Sequence, residues 1–476
     1  MLAPLLDAWT DLLALPHMRA YLTGAYVAYL LGLGGWIVLQ KREPVATISW
    51  LLGLALLPYV GFIVYQWLGP QRIRRHRLRR ARSRAARVVP DDGDTGPARE
   101  LSRLATATTA LPQTSARDVR LLIDGAAKYT ALLADIAQAR ESIDLEYYIF
   151  LPDRTGTALR DALVARARAG TRVRLLLDAV GSGKCPRRFF APLLAAGGEL
   201  AWFHPMRFGR IWQRPWLNLR THRKIVVIDG TLAYTGGINI TDEEDERLRG
   251  DAYRDLHVRL DGDVARALQI AFVEDWSYAT GTPPVLPPAP EPSPGPHAVQ
   301  VLTSGPDSSW EAIHRLHVAA IHAAQRRVWL TTPYFVPGEA AMMALTSAAL
   351  AGLDVRLLVP RRSDSRLVTY AARSYFDDLL ASGVRVYEYG PRLLHSKTLL
   401  VDDDIAIIGS ANFDHRSFRL NFEVSLLFHD AGVAGELERL IEVDLAQAPR
   451  VRADRAQPLW SARLPEALAR LVSPLL

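Results

Sequence analysis

The stretch H-R-K-I-V-V-I-D-G-T-L-A-Y-T-G-G-I-N, from His222 to Asn239, sets the architecture of this chain because it recurs. From His395 to Asn412 the sequence reads H-S-K-T-L-L-V-D-D-D-I-A-I-I-G-S-A-N. Both copies fit H-x-K-x-x-x-x-D-x-x-x-x-x-x-G-[GS]-x-N with identical internal spacing, and they start 173 residues apart. One short pattern can arise by chance; two with the same spacing are a duplication. In each copy His and Lys stand two apart and an aliphatic run follows, so the spacing predicts a strand that projects both from one face. Asp229-Gly230 and Asp402 to Asp404 supply turn residues, and a second apolar strand runs to Gly236-Gly237 or Gly409-Ser410. Each copy therefore reads as strand–turn–strand, with glycine letting backbone approach the imidazole and ammonium closely.

The residue types then define a chemistry. Imidazole is a nucleophile toward phosphorus and a proton donor near neutral pH. Lys224 and Lys397 would offset charge on phosphoryl oxygens without reacting, and Asn239, Ser410 and Asn412 can donate hydrogen bonds to the same oxygens. Asp229 and Asp402 are candidate catalytic acids, with a structural part at the turn as the competing reading. One copy provides attack or protonation of the leaving alkoxide, not both. Two copies facing each other provide both. The expected course is displacement at a phosphodiester to give a phosphohistidine, then transfer to a second acceptor with the histidines exchanging roles. No Asp/Glu/His array stands at metal-ligand spacing, so catalysis without a metal or other cofactor is expected. Cys185 is the only cysteine, which excludes an intramolecular disulfide and suits a reducing compartment. His204, His257 and His415 lack the repeated context and are read as structural, and the acidic cluster Asp242 to Glu246 as a solvated loop.

On these motifs the chain resembles the phospholipase D superfamily and, within it, is similar to the bacterial cardiolipin synthases of that type. The similarity also takes in I-D-L-E-Y-Y-I-F (Ile143 to Phe150), V-W-L-T-T-P-Y-F-V (Val328 to Val336), Ser304-Gly305-Pro306, the run Gly409 to Glu423 and the tail Leu471 to Leu476. The resemblance implies that an acidic residue downstream of each Asn orients the motif histidine. The matching positions are Glu423, eleven after Asn412, and Asp255, sixteen after Asn239, where T-D-E-E-D-E is an insertion. It also implies His222 as nucleophile and His395 as general acid. The reaction it implies moves a phosphatidyl group from one phosphatidylglycerol to another, giving cardiolipin and glycerol. A hydrolase using the same covalent intermediate, acting on phospholipid or on nucleic acid, is the alternative class.

Hydropathy favours lipid. Ala20 to Leu39 and Val45 to Leu68 are uncharged stretches of about the length that spans a hydrocarbon core of roughly 30 Å, joined by Gln40 to Pro44. A second span directly after the first argues against a cleaved signal peptide. Gln71 to Arg87 carries nine arginines and no acid, whereas the whole chain has a net charge of only +7, so the basic character is a collar beside the membrane. By the positive-inside rule the collar and everything after it face the cytoplasm of a bacterial inner membrane, where the collar suits anionic lipid. A nucleic-acid reading of these arginines loses because they abut a span. The expected partners are phosphatidylglycerol, other anionic phospholipids and the membrane, without nucleic acid.

The expected layout is an N-terminal segment (1–19), a transmembrane hairpin (20–70), collar and weakly structured linker (71–115), a first half (116–280), a Pro-rich linker (281–296) and a second half with a C-terminal helix (297–476). Each half runs helix, strand, helix, a V-R-L-L strand, helix and motif hairpin. This predicts an α/β class of two phospholipase D-like α/β/α halves with mixed sheets, related by a pseudo-twofold axis that brings His222 and His395 together. Residues 206–219, rich in Trp and Arg, either skim the bilayer or pack the core. Leu464, Leu468, Leu471 and Leu475 lie at helical spacing and are read as a docked helix.

Overall fold

The computed structural model describes residues 17–39, 44–57, 59, 61–62, 65, 96–205, 219–308 and 310–473. The basic collar, the aromatic stretch 206–218, residues 474–476 and much of the second expected span beyond residue 57 lie outside them. The N-terminal unit contains the helix Met18–Val38, whose Ala20–Val38 segment has a mean hydropathy of 1.4 over 19 residues. It is the one helix among the described residues long and apolar enough to cross a membrane. A shorter helix, Pro44–Leu56, packs on it: the Tyr26 hydroxyl donates to the Ala55 carbonyl, and Ile37, Leu54 and Tyr65 form a small core.

The larger unit is built on two mixed sheets. The seven-stranded sheet has the order β2 (Asp118–Ile123), β8 (Leu256–Asp261), β7 (Leu232–Gly236), β6 (Ile225–Ile228), β3 (Ser142–Tyr147), β4 (Arg172–Asp178), β5 (Glu199–Phe203). The eight-stranded sheet has the order β1 (Gln113–Ala116), β9 (His297–Ser304), β17 (Glu423–His429), β15 (Ile405–Gly409), β14 (Thr398–Val401), β10 (Arg327–Thr331), β12 (Asp354–Pro360), β13 (Arg385–Tyr389). A short parallel pair, β11 (Phe335–Val336) and β16 (Phe413–Asp414), stands apart. The motif hairpins are the antiparallel pairs β6–β7 and β14–β15, in the interior of their sheets. Their runs I-V-V-I and T-L-L-V are buried throughout, as expected of strands covered on both faces. The helix Val264–Thr280 contributes Leu268, Phe272 and Trp276 to a core that also draws on both sheets, through Ile225 and Val258 and through Val299 and Leu400. The same helix buries polar residues as well, Gln269, Glu274 and Asp275.

Three features differ from the sequence reading. The linker is not weakly structured up to residue 115: a helix spans Pro97–Thr109 and β1 follows. Pro97 opens that helix, and Leu101 and Ala105 enter the core of the second half beside Ile313 and Leu316. Alanine and threonine around these two anchors gave the segment its linker-like composition. Leu101→Ala is expected to destabilise this unit by about 2–4 kcal/mol, read by denaturant unfolding in detergent. Secondly, each half inserts a parallel edge strand before its motif, β5 or β13, which is short, half-exposed at its start and weakly patterned. Thirdly, the C-terminal helix Leu464–Val472 is docked, but through Glu466 and Ala469, while Leu464, Leu468 and Leu471 point outward.

Candidate active site

The two histidines sit on extended backbone just ahead of β6 and β14, and each is stitched into the other half. The His222 N–H donates to the Phe422 carbonyl and the Phe422 N–H to Arg220, both at 2.8 Å. Reciprocally, the His395 N–H donates to the Arg254 carbonyl at 2.7 Å and the Arg254 N–H to Leu393 at 2.8 Å. This register places each histidine beside the acid that follows Phe422 or Arg254. His222 Nδ1 lies 3.0 Å from the Glu423 carboxylate, and His395 Nδ1 lies 2.6 Å from Asp255. The acids anticipated downstream of each Asn are thus both present, and they cross: each serves the histidine of the other copy.

A carboxylate on Nδ1 holds a proton there and leaves the Nε2 lone pair for chemistry. The Lys224 ammonium donates to the His222 carbonyl at 2.8 Å, and the Lys397 ammonium to the His395 carbonyl, so both cations lie along the same strands as their imidazoles. Burial lowers the pKa of His222, helped by Lys224 and Lys397 and opposed by Glu423. His395 falls further, through burial and then Lys397, with Lys224 and His222 also acting on it. Charges from each motif reach the histidine of the other, as a shared centre requires. Burial pushes Asp255 up to about 6 against the pull of Lys397. Glu423 stays below the usual carboxylate range despite burial, because His222, Lys224 and the Ser410 hydroxyl stabilise its anion.

Burial also lowers Lys224 to about 8, with Glu423 partly offsetting the shift. The sign follows directly: a lysine with a depressed pKa is cationic below that value and neutral above it. kcat/KM is therefore expected to fall as pH rises through about 8, and Lys224→Arg, which cannot be deprotonated in this range, should move the fall to higher pH.

The motif aspartates behave differently from a catalytic pair. At φ of 50° and 51° they sit at the far ends of β6 and β14 from the histidines. Asp229 accepts from the backbone N–H groups of Arg140, Glu141 and Ser142, and Asp402 from those of Gln325, Arg326 and Arg327. They tie each turn to the start of β3 or β10, the structural part that the sequence offered as the competing reading. Of the expected phosphoryl donors, Ser410 is committed to Glu423 through its hydroxyl. The Asn239 amide donates to Glu244 at 2.8 Å, and the Asn412 backbone N–H donates to Ser417 at 3.1 Å. Ser410 and Asn239 thus fix the site's frame through their side chains and Asn412 through its backbone. Gly237 is required by contact: a Cβ there would stand 2.1 Å from the Asp255 carboxylate.

The acidic cluster is not a solvated loop. Asp242 accepts from the Thr155 N–H at 2.8 Å, and Glu244 is fully buried, accepting from both the backbone and the side-chain nitrogen of Asn239. Glu244 and Ser417 occupy the same offset, five after each Asn, a signal that a comparison of the two copies could have revealed. Also unforeseen were Tyr148, whose ring centroid is 5.0 Å from that of His222, and Tyr253, 5.5 Å from His395. Asp178 at the end of β4 accepts from the Thr221 N–H and pairs with Arg220, holding the strand that carries His222. Arg254 beside Asp255 bridges to Asp444 at 2.9 Å, and Arg392 to Asp124 at 2.6 Å, so ion pairs between the halves brace the centre. His204 is held by Leu219 and Tyr278, consistent with a structural part.

Ligand atoms of Glu244, Asp255 and His395 lie within 4.8 Å of one another, which makes them the group among the described residues that could hold a cation. His395 Nδ1 is already occupied by Asp255, and the charges of Lys224 and Lys397 act on His395, so the trio is better suited to sharing a proton.

Two imidazoles with no Nε2 partner among the described residues, lysines alongside and a carboxylate behind each define a phosphodiester-transfer centre of the phospholipase D class. A family model described as cardiolipin synthase, PLD-like domain, matches residues 132–249 and 318–445, and one described as phospholipase D-nuclease N-terminal matches 28–70. The cardiolipin synthase of Geobacillus kaustophilus is 38% identical over 92% of this chain and 91% of its own, and the major cardiolipin synthase of Bacillus subtilis 36% over 92% and 95%. The chain belongs to the cardiolipin synthase family of phospholipase D-like enzymes. Among solved structures, the phosphatidylserine synthase of Haemophilus influenzae shares the fold, with a TM-score of 0.60 over 79% of this chain and 100% of that one at 14% identity.

Proposed function

We propose that this chain is a phosphatidyltransferase that condenses two phosphatidylglycerols into cardiolipin and glycerol, without a metal, at the cytoplasmic face of a bacterial membrane that its two N-terminal apolar helices span. Nucleic acid is not a substrate in this reading. The two halves act as pseudo-twofold partners, residues 116–280 and 297–476 with the short linker 281–296 between them. The observation that carries the chemistry is the crossed pairing of His222 with Glu423 and His395 with Asp255.

In the first step His222 Nε2 attacks phosphorus, the bond from phosphorus to the glycerol headgroup oxygen breaks, and His395 gives its proton to the departing alkoxide. In the second step the headgroup hydroxyl of another phosphatidylglycerol loses its proton to His395 and attacks the phosphohistidine, and the P–N bond breaks. Lys224 and Lys397 offset the charge on the phosphoryl oxygens throughout. The Asp229 and Asp402 turns, and Asn239, Asn412 and Ser410, hold the geometry.

The test is product analysis of the purified, detergent-solubilised chain given phosphatidylglycerol alone, without metal or cytidine nucleotide. Cardiolipin with equimolar glycerol is expected. Phosphatidic acid with glycerol would make water the acceptor and replace the synthase reading by a hydrolase.

A further inference from the structure

The C-terminal helix is docked with its polarity reversed. Its inner face is polar or small: Glu466 pairs with Arg455 at 2.9 Å, Ala469 enters the core, and the Ser473 hydroxyl meets that of Tyr375 at 3.1 Å. Arg470, at its edge, pairs with Asp378. The outer face carries Leu464, Leu468 and Leu471, with Trp460 in the preceding turn, and Trp460 and Leu471 are 79% and 77% exposed. A soluble helix normally turns such a face inward, and a clustered apolar face of this kind marks a docking surface.

What covers it is indicated by its surroundings. The helix Leu464–Val472 packs on the helix Arg366–Arg373, which exposes a leucine of its own, Leu367. That second helix begins two residues after Asp364, which accepts from the Tyr334 hydroxyl and whose charge acts on Lys397 and on Tyr253. The apolar surface is therefore joined to the rim of the catalytic centre. The same rim carries exposed Arg361, Arg362 and Arg366, and Arg463 is exposed between Trp460 and Leu464. Leucine and tryptophan flanked by arginine is the composition of a helix lying in the interface of an anionic bilayer.

We propose that the outer face of the C-terminal helix, with Leu367, rests in the surface of an anionic phospholipid bilayer and holds the mouth of the active site against it. The proposal rests on the reading of the substrate as a membrane phospholipid. It adds a lipid contact on the second half, separate from the N-terminal helices.

The chain is reconstituted into phosphatidylglycerol vesicles with a single fluorophore on Leu468→Cys in a Cys185→Ser background, and in parallel on Arg168→Cys, an exposed position in the first half. Nitroxide on the lipid acyl chain is expected to quench the label at 468 and aqueous iodide to spare it, with the opposite pattern at 168. Quenching at 468 by iodide and not by lipid overturns the proposal, as does energy transfer between labels at 468 on two copies, which would make a second copy the occupant. This readout needs no turnover, so it stands or falls separately from the reaction. A second variant, Leu468→Asp with Leu471→Asp, is expected to lower turnover on vesicles by about tenfold while leaving turnover of monomeric short-chain phosphatidylglycerol unchanged. Undiminished turnover on vesicles would count against the proposal.

Discussion

His222→Ala is expected to abolish phosphatidyl transfer, a fall of about four orders of magnitude or more, and His395→Ala to do the same with phosphatidylglycerol as donor. The two losses should part company on a donor whose leaving group needs no proton. With phosphatidyl p-nitrophenol, His395→Ala is expected to recover a burst of p-nitrophenolate and to accumulate a phosphoenzyme, while His222→Ala releases nothing. The assignment follows from what surrounds each imidazole. Burial and the lysines depress both. A bound diester offsets the lysines, and His395, with Asp255 on Nδ1 and Glu244 close by, is then the imidazole in the more negative environment and the one that holds a proton. His222 pairs with Glu423, itself engaged by Ser410, and keeps its Nε2 lone pair for attack. If His395→Ala were the variant that failed to trap, the two roles would be exchanged.

The second large effect concerns the crossed carboxylates. Glu423→Gln and Asp255→Asn are each expected to lower turnover by about three orders of magnitude: an amide donating to Nδ1 of His222 forces the proton onto the attacking Nε2, and an amide in place of Asp255 no longer supports the imidazolium form from which His395 gives its proton. Crossing makes a specific demand. Asp255 belongs to the first half by sequence, yet its loss should resemble the loss of His395 in the second. On the p-nitrophenyl donor Asp255→Asn should regain most of its rate and Glu423→Gln should keep its full deficit, measured as initial p-nitrophenolate release. The reverse pattern would mean that each acid serves its own copy.

Much of this centre was legible because it is local. His222, Lys224, Asp229 and the glycine pair lie within one hairpin, and hairpin geometry follows from short-range spacing. The acids at 255 and 423 were located through the family resemblance, which expects an acid downstream of each Asn; their offsets, sixteen and eleven, do not match. Which histidine each would face could not be read. That depends on backbone hydrogen bonds from His222 to Phe422 and from His395 to Arg254, which no local pattern encodes. Glu244 was hidden for a different reason: five of the six residues in T-D-E-E-D-E are acids that look solvent-seeking, yet Glu244 and Asp245 are buried, and Glu244 is held there by the backbone and side-chain N–H groups of Asn239. The helix Pro97–Thr109 escaped because its two apolar anchors only make sense against a core assembled from residues far downstream. Periodicity did locate the C-terminal helix, but it ranks faces by hydropathy, and here the hydropathic face is the outer one.

The pairing of β1 with β9 has a consequence for the chain as it is made. Thr114 bonds to Val299, 185 residues on, whereas the seven-stranded sheet is complete once β8 has emerged. At bacterial synthesis rates of about 5–20 residues per second, the leading helix and strand wait roughly 10–40 s for their partners. The first half can close its sheet during that interval, with the second still on the ribosome. Since His222 has no carboxylate behind it until Glu423 arrives, the nascent enzyme stays silent toward the lipids around it until the second motif and the acid beyond it have been made.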